Sequence, residues 1–254
     1  MKYLLRFRKF SEYSLNEVEK QLASFGLYKC YAKQKELEGR VDSTYLNKKY
    51  GDDSLTDENA VNVMKKHIKN NYLLFCSASF DPMTEKRMKL LWKRYTKNDG
   101  FAILYRYDSI YNFIELNRYK GTYNFKRVLY SDEKFDLTGY LDCFLESADK
   151  VNNTFNDAKF FKLLHKTGYN KDQIEFMRTK TKYKYSEERE FRIIKHVEKD
   201  DVVINKHLSI PFVLPEKVYI LNINNSPFVE RLIEICKTKI IEYEIVERDQ
   251  VLAV

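Results

Sequence analysis

Two glutamates at alternate positions, followed two residues later by an arginine, form the pattern with the clearest chemistry: Glu188, Glu190 and Arg192. On an extended chain these side chains share one face. Neighbouring carboxylates there lie about 7 Å apart and repel one another unless a cation or a hydroxyl lies between them. A fixed carboxylate can stabilise the positive charge that builds on ribose when its glycosidic bond breaks. A second carboxylate can deprotonate an incoming nucleophile. The alternative is an exposed strand end whose glutamates pair with Arg192.

Two further polar patterns lie on predicted strands. Arg6 and Arg8 alternate on the first strand, and two guanidinium groups on one face can hold a pyrophosphate by paired hydrogen bonds. Ser77 and Ser79 end a very apolar strand, where their hydroxyls could orient a carboxylate or a ribose. The other interpretations are two solvated arginines on an edge strand, and serines that end the strand and cap the next segment.

The elements that must position these residues are short strands and amphipathic helices. Residues 72–77 are almost continuously apolar, which predicts a strand buried on both faces. Further strands are predicted at residues 3–8, 27–32, 101–105, 128–130, 190–196, 217–221 and 239–246. Helices are predicted from 14 to 26, near 57–68, at 84–95, 137–148 and 158–166, and from 226 onward.

This irregular alternation favours the α+β class over a doubly wound parallel sheet. We expect one domain over residues 1–254 with a mixed or antiparallel sheet, and a helical insertion around 132–175.

The three polar patterns follow one another in the order Arg, Ser-x-Ser and Glu-x-Glu, each on a predicted strand. In this order the sequence resembles the R-S-E class of ADP-ribosyltransferases. The resemblance implies an ADP-ribosyltransferase-like sheet and NAD as a substrate. It implies that Arg6 anchors NAD, with Arg8 as the alternative, and that Ser77 supports the site and the nicotinamide ribose. Glu190 would be the catalytic carboxylate, and Glu188 would serve the acceptor.

Longer blocks look like a bacterial domain-of-unknown-function family, number 2971. The resemblance covers residues 5–10, 27–28, 75–77, 91–100, 128–130 and 185–192. That family implies no activity, but its blocks include the same arginine, serine and glutamate positions. Trp92 and Tyr95 belong to one of these blocks. Their spacing along a helix is typical of core packing, and they could also border a nicotinamide pocket.

The chain has 254 residues and a net charge of +8, which weakly favours a polyanionic partner. Lysines alternate with Thr181, Tyr183 and Tyr185 just before the Glu-x-Glu pattern, at Lys180, Lys182 and Lys184. Basic side chains among aromatic rings suit a phosphate backbone and stacked bases. A nucleic-acid acceptor is therefore one hypothesis, and an ordinary solvated loop is its alternative.

Several function classes are disfavoured. The four cysteines lie far apart without a C-x-x-C pair, which favours free thiols in the cytoplasm. The four histidines share no ligand spacing, so we expect no metal cofactor. No apolar run approaches the roughly 20 residues that a membrane helix needs.

The leading hypothesis is NAD-dependent ADP-ribosyl transfer, or NAD hydrolysis, acting in the cytoplasm on a macromolecule as part of a bacterial defence or toxin system. A Mg²⁺-dependent nucleic-acid-binding or cleaving domain and a non-enzymatic partner-binding module are the rival hypotheses.

Overall fold

The structure, a computed structural model, describes residues 2–28, 39–51, 56–81, 83–117, 123–149, 154–180, 185–223 and 226–247. The chain divides into two compact units. The sheet unit comprises residues 1–26, 73–127 and 187–254, and the helical unit comprises residues 27–72 and 128–186. The expected segment 132–175 lies in the helical unit, which also takes in residues 27–72.

The described strands are, in chain order, β1 (Tyr3–Lys9), β2 (Leu22–Leu27), β3 (Gly39–Arg40), β4 (Tyr72–Ser79), β5 (Gly100–Arg106), β6 (Tyr123–Arg127), β7 (Leu129–Tyr130), β8 (Phe135–Asp136), β9 (Ala148–Asp149), β10 (Thr154–Phe155), β11 (Thr179–Lys180), β12 (Glu190–His196), β13 (His207–Pro211), β14 (Lys217–Leu221) and β15 (Glu242–Val246). The described α-helices are α1 (Glu12–Glu19), α2 (Ser43–Tyr50), α3 (Asp57–Ile68), α4 (Glu85–Thr96), α5 (Tyr107–Leu116), α6 (Thr138–Ser147), α7 (Asp157–Thr167), α8 (Asn170–Met177) and α9 (Pro227–Lys239). Helices and a mixed sheet confirm the α+β class.

The main sheet runs in the order β13-β2-β4-β1-β5-β14-β15, and β12 pairs with both β4 and β6. It is mixed, because β14 and β15 are parallel whereas β1 is antiparallel to β4 and β5. Strand β1 pairs with β5 along its whole length. Its register with β4 covers only Leu4↔Ser79 and Leu5↔Ala78. The pairing of β1 with β4 therefore ends at Leu5, and the polar side chains of β1 begin at the next residue.

Helix α4 covers one face of β1. Its first turn is capped by Thr84, whose side chain accepts from the Arg87 N–H, and Lys97 ends it in the left-handed conformation. Trp92 is fully buried, with its ring edge-on to Phe7 at 5.3 Å. Burying a large apolar side chain of this kind stabilises the fold by about 1.5–3 kcal/mol. The apolar stripe of α4 therefore fixes the helix on the sheet.

The first helix is shorter than the sequence pattern predicted. Helix α1 ends at Glu19, and Gln21 adopts the left-handed conformation with φ 51°. The chain then enters β2 at Leu22, so Gly26 lies inside a strand and does not end a helix. The prediction of a helix up to Gly26 was wrong because the chain reverses direction already at Gln21, a residue other than glycine in the left-handed conformation.

The helical unit contains α2, α3, α6, α7 and α8 with three two-stranded sheets, β3–β8, β7–β11 and β9–β10. Its core is aromatic: the ring of His67 lies 4.7 Å from that of Phe160, among Phe144 and Phe155. None of the helices in the described ranges is long and apolar enough to cross a membrane.

Candidate functional site

The strands that carry the three polar patterns are neighbours in the sheet unit. Strand β4 pairs with β1 on the arginine side and with β12 on the glutamate side. The backbone N–H of Ser79 donates to the carbonyl oxygen of Arg189 at 2.9 Å. Ser77 and Ser79 are both buried, and the Ser79 hydroxyl donates to the Asp81 carbonyl oxygen at 3.0 Å. The Ser-x-Ser and Glu-x-Glu patterns thus meet through a hydrogen bond of the backbone.

The glutamates form an acidic cluster, defined here as Glu188, Glu190, Arg94, Arg192 and Tyr95. Arg94 Nη1 lies 2.6 Å from Glu188 Oε1. Arg192 holds both oxygens of Glu190, with Nε at 2.7 Å from Oε1 and Nη2 at 3.3 Å from Oε2. Both carboxylates are almost fully buried. Each is therefore fixed in place by a guanidinium group, as buried carboxylates require.

Glu188 does not lie on the strand that the sequence pattern predicted. It ends a 3₁₀ turn, Ser186–Glu188, and Arg189 follows with φ 45°. Strand β12 begins only at Glu190, so Glu190 and Arg192 share a strand face, whereas Glu188 reaches the cluster from the turn. A left-handed non-glycine residue is strained, and such residues persist only where their surroundings hold them.

Arg87 of α4 provides part of that hold. Its guanidinium donates to the carbonyl oxygens of Glu187 and Glu188, at 2.6 and 2.8 Å. The side chain is itself buried. The turn that presents Glu188 is therefore tied to α4 by backbone carbonyl groups as well as by side chains.

Tyr95 closes the acidic cluster from α4. Burial raises the pKa of its hydroxyl well above the ordinary value, and the nearby Glu190, Glu188 and Cys76 raise it further. The neutral hydroxyl hydrogen-bonds Glu188. The Tyr95 ring stacks on Phe7 at 6.1 Å. Trp92, the other aromatic candidate for the nicotinamide pocket, is fully buried in the core.

The arginines of β1 form a basic cluster, defined as Arg6, Arg8 and Glu17 with Ser24 beneath them. Arg6 Nη2 lies 3.1 Å from Glu17 Oε1, and Arg8 Nε lies 2.8 Å from Glu17 Oε2. Arg6 also donates to the backbone carbonyls of Cys76 and Ser24, at 3.0 and 2.8 Å. The Arg6 guanidinium thus hydrogen-bonds to backbone carbonyl groups of β4 and β2, where the pairing of β1 with β4 has ended.

The two clusters lie on opposite faces of the sheet. The pairing Leu4↔Ser79 places the Ser79 and Arg6 side chains on one face, because side chains alternate along each strand. Arg6 Cζ lies on that face, 3.9 Å from the centre of the Phe75 ring. The opposite face is covered by α4, which carries Tyr95. The strands that carry the arginine, serine and glutamate patterns are therefore neighbours. The side chains of Arg6 and of Glu188, which binds Arg94 of α4, nevertheless lie on different faces of the sheet.

Glu17 is the site residue that the sequence analysis missed. Burial alone would raise the pKa of its carboxyl group, but Arg6, Arg8 and the Ser24 N–H together lower the pKa below the ordinary value. Glu17 is therefore ionised at neutral pH and neutralises part of the charge of β1. The signal was available: two arginines on one buried strand face require a carboxylate nearby.

The predicted acceptor loop is described only at its edge. Lys180 is buried in the helical unit, with its Nζ 4.9 Å from the centre of the Tyr185 ring. This position differs from the exposed loop that was expected. Lys182, Tyr183 and Lys184 lie outside the described residues.

Within the described part of the chain, no group of three or more His, Cys, Asp or Glu residues could hold a metal ion. No family model, curated protein or solved structure matches the chain.

Proposed function

We propose that the sheet unit cleaves NAD and transfers ADP-ribose, with Glu190 as the catalytic carboxylate. The proposal is carried by one observation, the 2.9 Å hydrogen bond from the Ser79 N–H to the Arg189 carbonyl. It joins the serine and glutamate patterns, and β4 also pairs with the arginine strand. The resemblance to R-S-E transferases needs these three strands to be neighbours. Because the Arg6 side chain lies on the face of the sheet opposite the acidic cluster, the proposed reaction does not give it the NAD-anchoring role that the resemblance implies.

In the proposed reaction the bond between the nicotinamide nitrogen and the ribose carbon breaks, and its electron pair leaves with nicotinamide. Positive charge then builds on the ribose. The Glu190 carboxylate, held by both nitrogens of the Arg192 fork, stabilises that charge without having to reorganise. A nucleophile, either an acceptor group or water, forms the new bond to the ribose carbon.

The nucleophile must lose a proton, and Glu188 is the proposed acceptor of that proton. Its carboxylate already binds Arg94 at 2.6 Å and the Tyr95 hydroxyl. Because Arg94 is partly exposed, with 27% of its side-chain surface accessible, it can move away when an acceptor arrives. The strained turn at Arg189 lets Glu188 approach from a direction that a regular strand would not allow.

The test is nicotinamide release from NAD by purified protein, alone and with RNA, DNA or cell lysate. Glu190→Gln keeps the shape of the side chain but removes its charge, and we expect release to fall about 100-fold or more. Glu187→Gln is the matched control, because Glu187 lies three residues away and is exposed. It should release nicotinamide at the wild-type rate.

Both variants must melt at a temperature close to that of the wild type for the comparison to count. Equal release by Glu190→Gln and the wild type would overturn the assignment of the catalytic carboxylate. Absence of release by the wild type with every acceptor would overturn the proposed function.

A further inference from the structure

A second site lies in the sheet unit, away from the acidic cluster. We call it the β13 groove, a cavity of ≈ 690 Å³ lined by Tyr13, Val202, Ile204, Asn205, His207 and Ser209. Cavities of about 300–1,000 Å³ commonly hold small ligands. None of the lining residues belongs to the arginine, serine or glutamate patterns.

One wall of the groove is apolar and exposed. Val202 and Ile204 keep 71% and 66% of their surface accessible, and Tyr13 keeps 41%. Asn205 and Lys206 form a tight reversal in the left-handed region, closed by the bridge between Ile204 and His207. Apolar side chains held at the mouth of a cavity are typical of a binding surface. The exposed Tyr13 side chain can stack on another flat ring.

Hydrogen-bonding side chains line the floor of the groove at Tyr13, His207 and Ser209, and they connect to Ser24, which is buried behind them. The Tyr13 hydroxyl lies 2.6 Å from the Ser24 hydroxyl and 3.4 Å from that of Ser209. The Ser24 hydroxyl lies 3.3 Å from His207 Nδ1. Because each hydroxyl can donate in either direction, the chain can offer donors to a ligand with several acceptor oxygens.

Positive charge lies behind this floor. Arg6 and Arg8 share the single carboxylate of Glu17, so the three side chains together carry one net positive charge. Burial lowers the pKa of His207, and Arg8, Arg6 and the nearby Lys206 lower it further, against the opposing effect of Glu17. The direction of these effects means that cations dominate the potential at His207. An anion bound there would relieve that imbalance.

We propose that the β13 groove binds a small organic phosphate that carries a flat ring. The ring packs against Tyr13 and Ile204, and the phosphate points toward His207 and Ser209, with the Arg8 guanidinium carbon behind them, 6.0 Å from the centre of the Tyr13 ring. The two hydroxyls that line the groove, Tyr13 and Ser209, and the positive charge behind them suit a phosphate, which has several oxygens, better than a single neutral acceptor. The inference does not depend on NAD cleavage, because the residues that line the groove take no part in the proposed catalytic step.

The test is isothermal calorimetry of the full chain with three probes that separate ring from charge: AMP, adenosine and inorganic phosphate. We expect AMP to bind about tenfold or more tightly than either of the others, since only AMP fills both parts of the groove. Ile204→Glu places a negative charge at the groove mouth and should weaken AMP binding about tenfold or more.

Leu214→Glu is the matched control, because Leu214 is an exposed leucine, 52% accessible, that does not line the groove. It should bind AMP like the wild type. Absence of AMP binding, equal binding of AMP and adenosine, or unchanged binding in Ile204→Glu would each overturn the proposal. Glu190→Gln should still bind AMP, so a failure of NAD cleavage and a failure of the groove are distinguishable.

Discussion

The two charged clusters of the sheet unit are both built from arginines and glutamates, but they differ in the ratio of guanidinium groups to carboxylates. In the basic cluster two guanidinium groups depend on one carboxylate, whereas in the acidic cluster each of two carboxylates has a guanidinium bound to it. The first arrangement leaves a positive surplus beside an open groove. In the acidic cluster, beneath α4, Glu188 pairs with Arg94 and Glu190 pairs with Arg192. A shared counterion should therefore be a point of weakness, and a matched pair should be replaceable as a unit.

The largest effect should come from Glu17→Gln. The amide keeps the size of the side chain but removes the carboxylate that the guanidinium groups of Arg6 and Arg8 share. Removing one partner of a buried ion pair in this way costs about 3–5 kcal/mol. Urea unfolding followed by circular dichroism measures the loss.

The control for that variant is Glu19→Gln on the same helix. Glu19 pairs with Arg231 at the surface, at 3.1 Å, where solvent screens the interaction. Its midpoint of unfolding should not change measurably. A Glu17→Gln protein as stable as the control would show that the basic cluster does not depend on its shared carboxylate.

The next effect tests whether the acidic cluster is matched pair by pair. Glu190→Leu and Arg192→Met should each destabilise the protein, whereas the double variant should cost less than their sum. We expect a coupling of about 1–3 kcal/mol from the double-mutant cycle. The same cycle on the exposed pair Lys134–Asp57, with more than a third of each side chain accessible, should give little coupling. Strict additivity at Glu190 and Arg192 would contradict the paired arrangement.

Local patterns predicted the regular elements well where one signal dominated. The apolar run at 72–77 lies in β4, and the amphipathic helix predicted at 84–95 corresponds to α4. Ser226 precedes the helix that Pro227 starts, as the sequence pattern indicated. In each case a local preference and the burial of a side-chain stripe favour the same structure.

Predictions failed where distant contacts decide the structure. The two arginines of β1 call for a carboxylate, but the sequence does not show that Glu17 is that carboxylate, because its partners are 9 and 11 residues away and meet it only in the fold. Arg189 interrupts an apparently regular Glu-x-Glu strand because Arg87 and Ser79 hold the backbone around it. Alternation on one strand predicted the shared face of Glu190 and Arg192, but it could not predict that interruption.

A smaller effect compares the strained residue beside each cluster. Arg189 in the acidic cluster and Gln21 before β2 both have left-handed backbones, with φ 45° and 51°. Glycine removes a backbone cost of about 1–2 kcal/mol but increases the entropy of the unfolded chain, so each substitution to glycine should stabilise by up to about 1 kcal/mol. Thermal unfolding measures both. A gain for Gln21→Gly with a loss for Arg189→Gly would show that the Arg189 side chain itself supports the turn.

The smallest effect is a change in pH dependence at the edge of the basic cluster. The pKa of His207 is lowered from its ordinary value, first by burial and then by Arg8 and Arg6. The unfolded chain therefore takes up this proton before the folded chain does. The stability associated with a neutral His207 is present above the unfolded pKa of about 6.5 and is lost as pH falls below it. In His207→Gln, the free energy of unfolding should fall less steeply between about pH 7 and pH 5.

His165→Gln, which changes an exposed histidine of the helical unit, should keep the wild-type slope. If the two variants have the same slope, burial and the arginines of the basic cluster together do not lower the pKa of His207 in the folded protein.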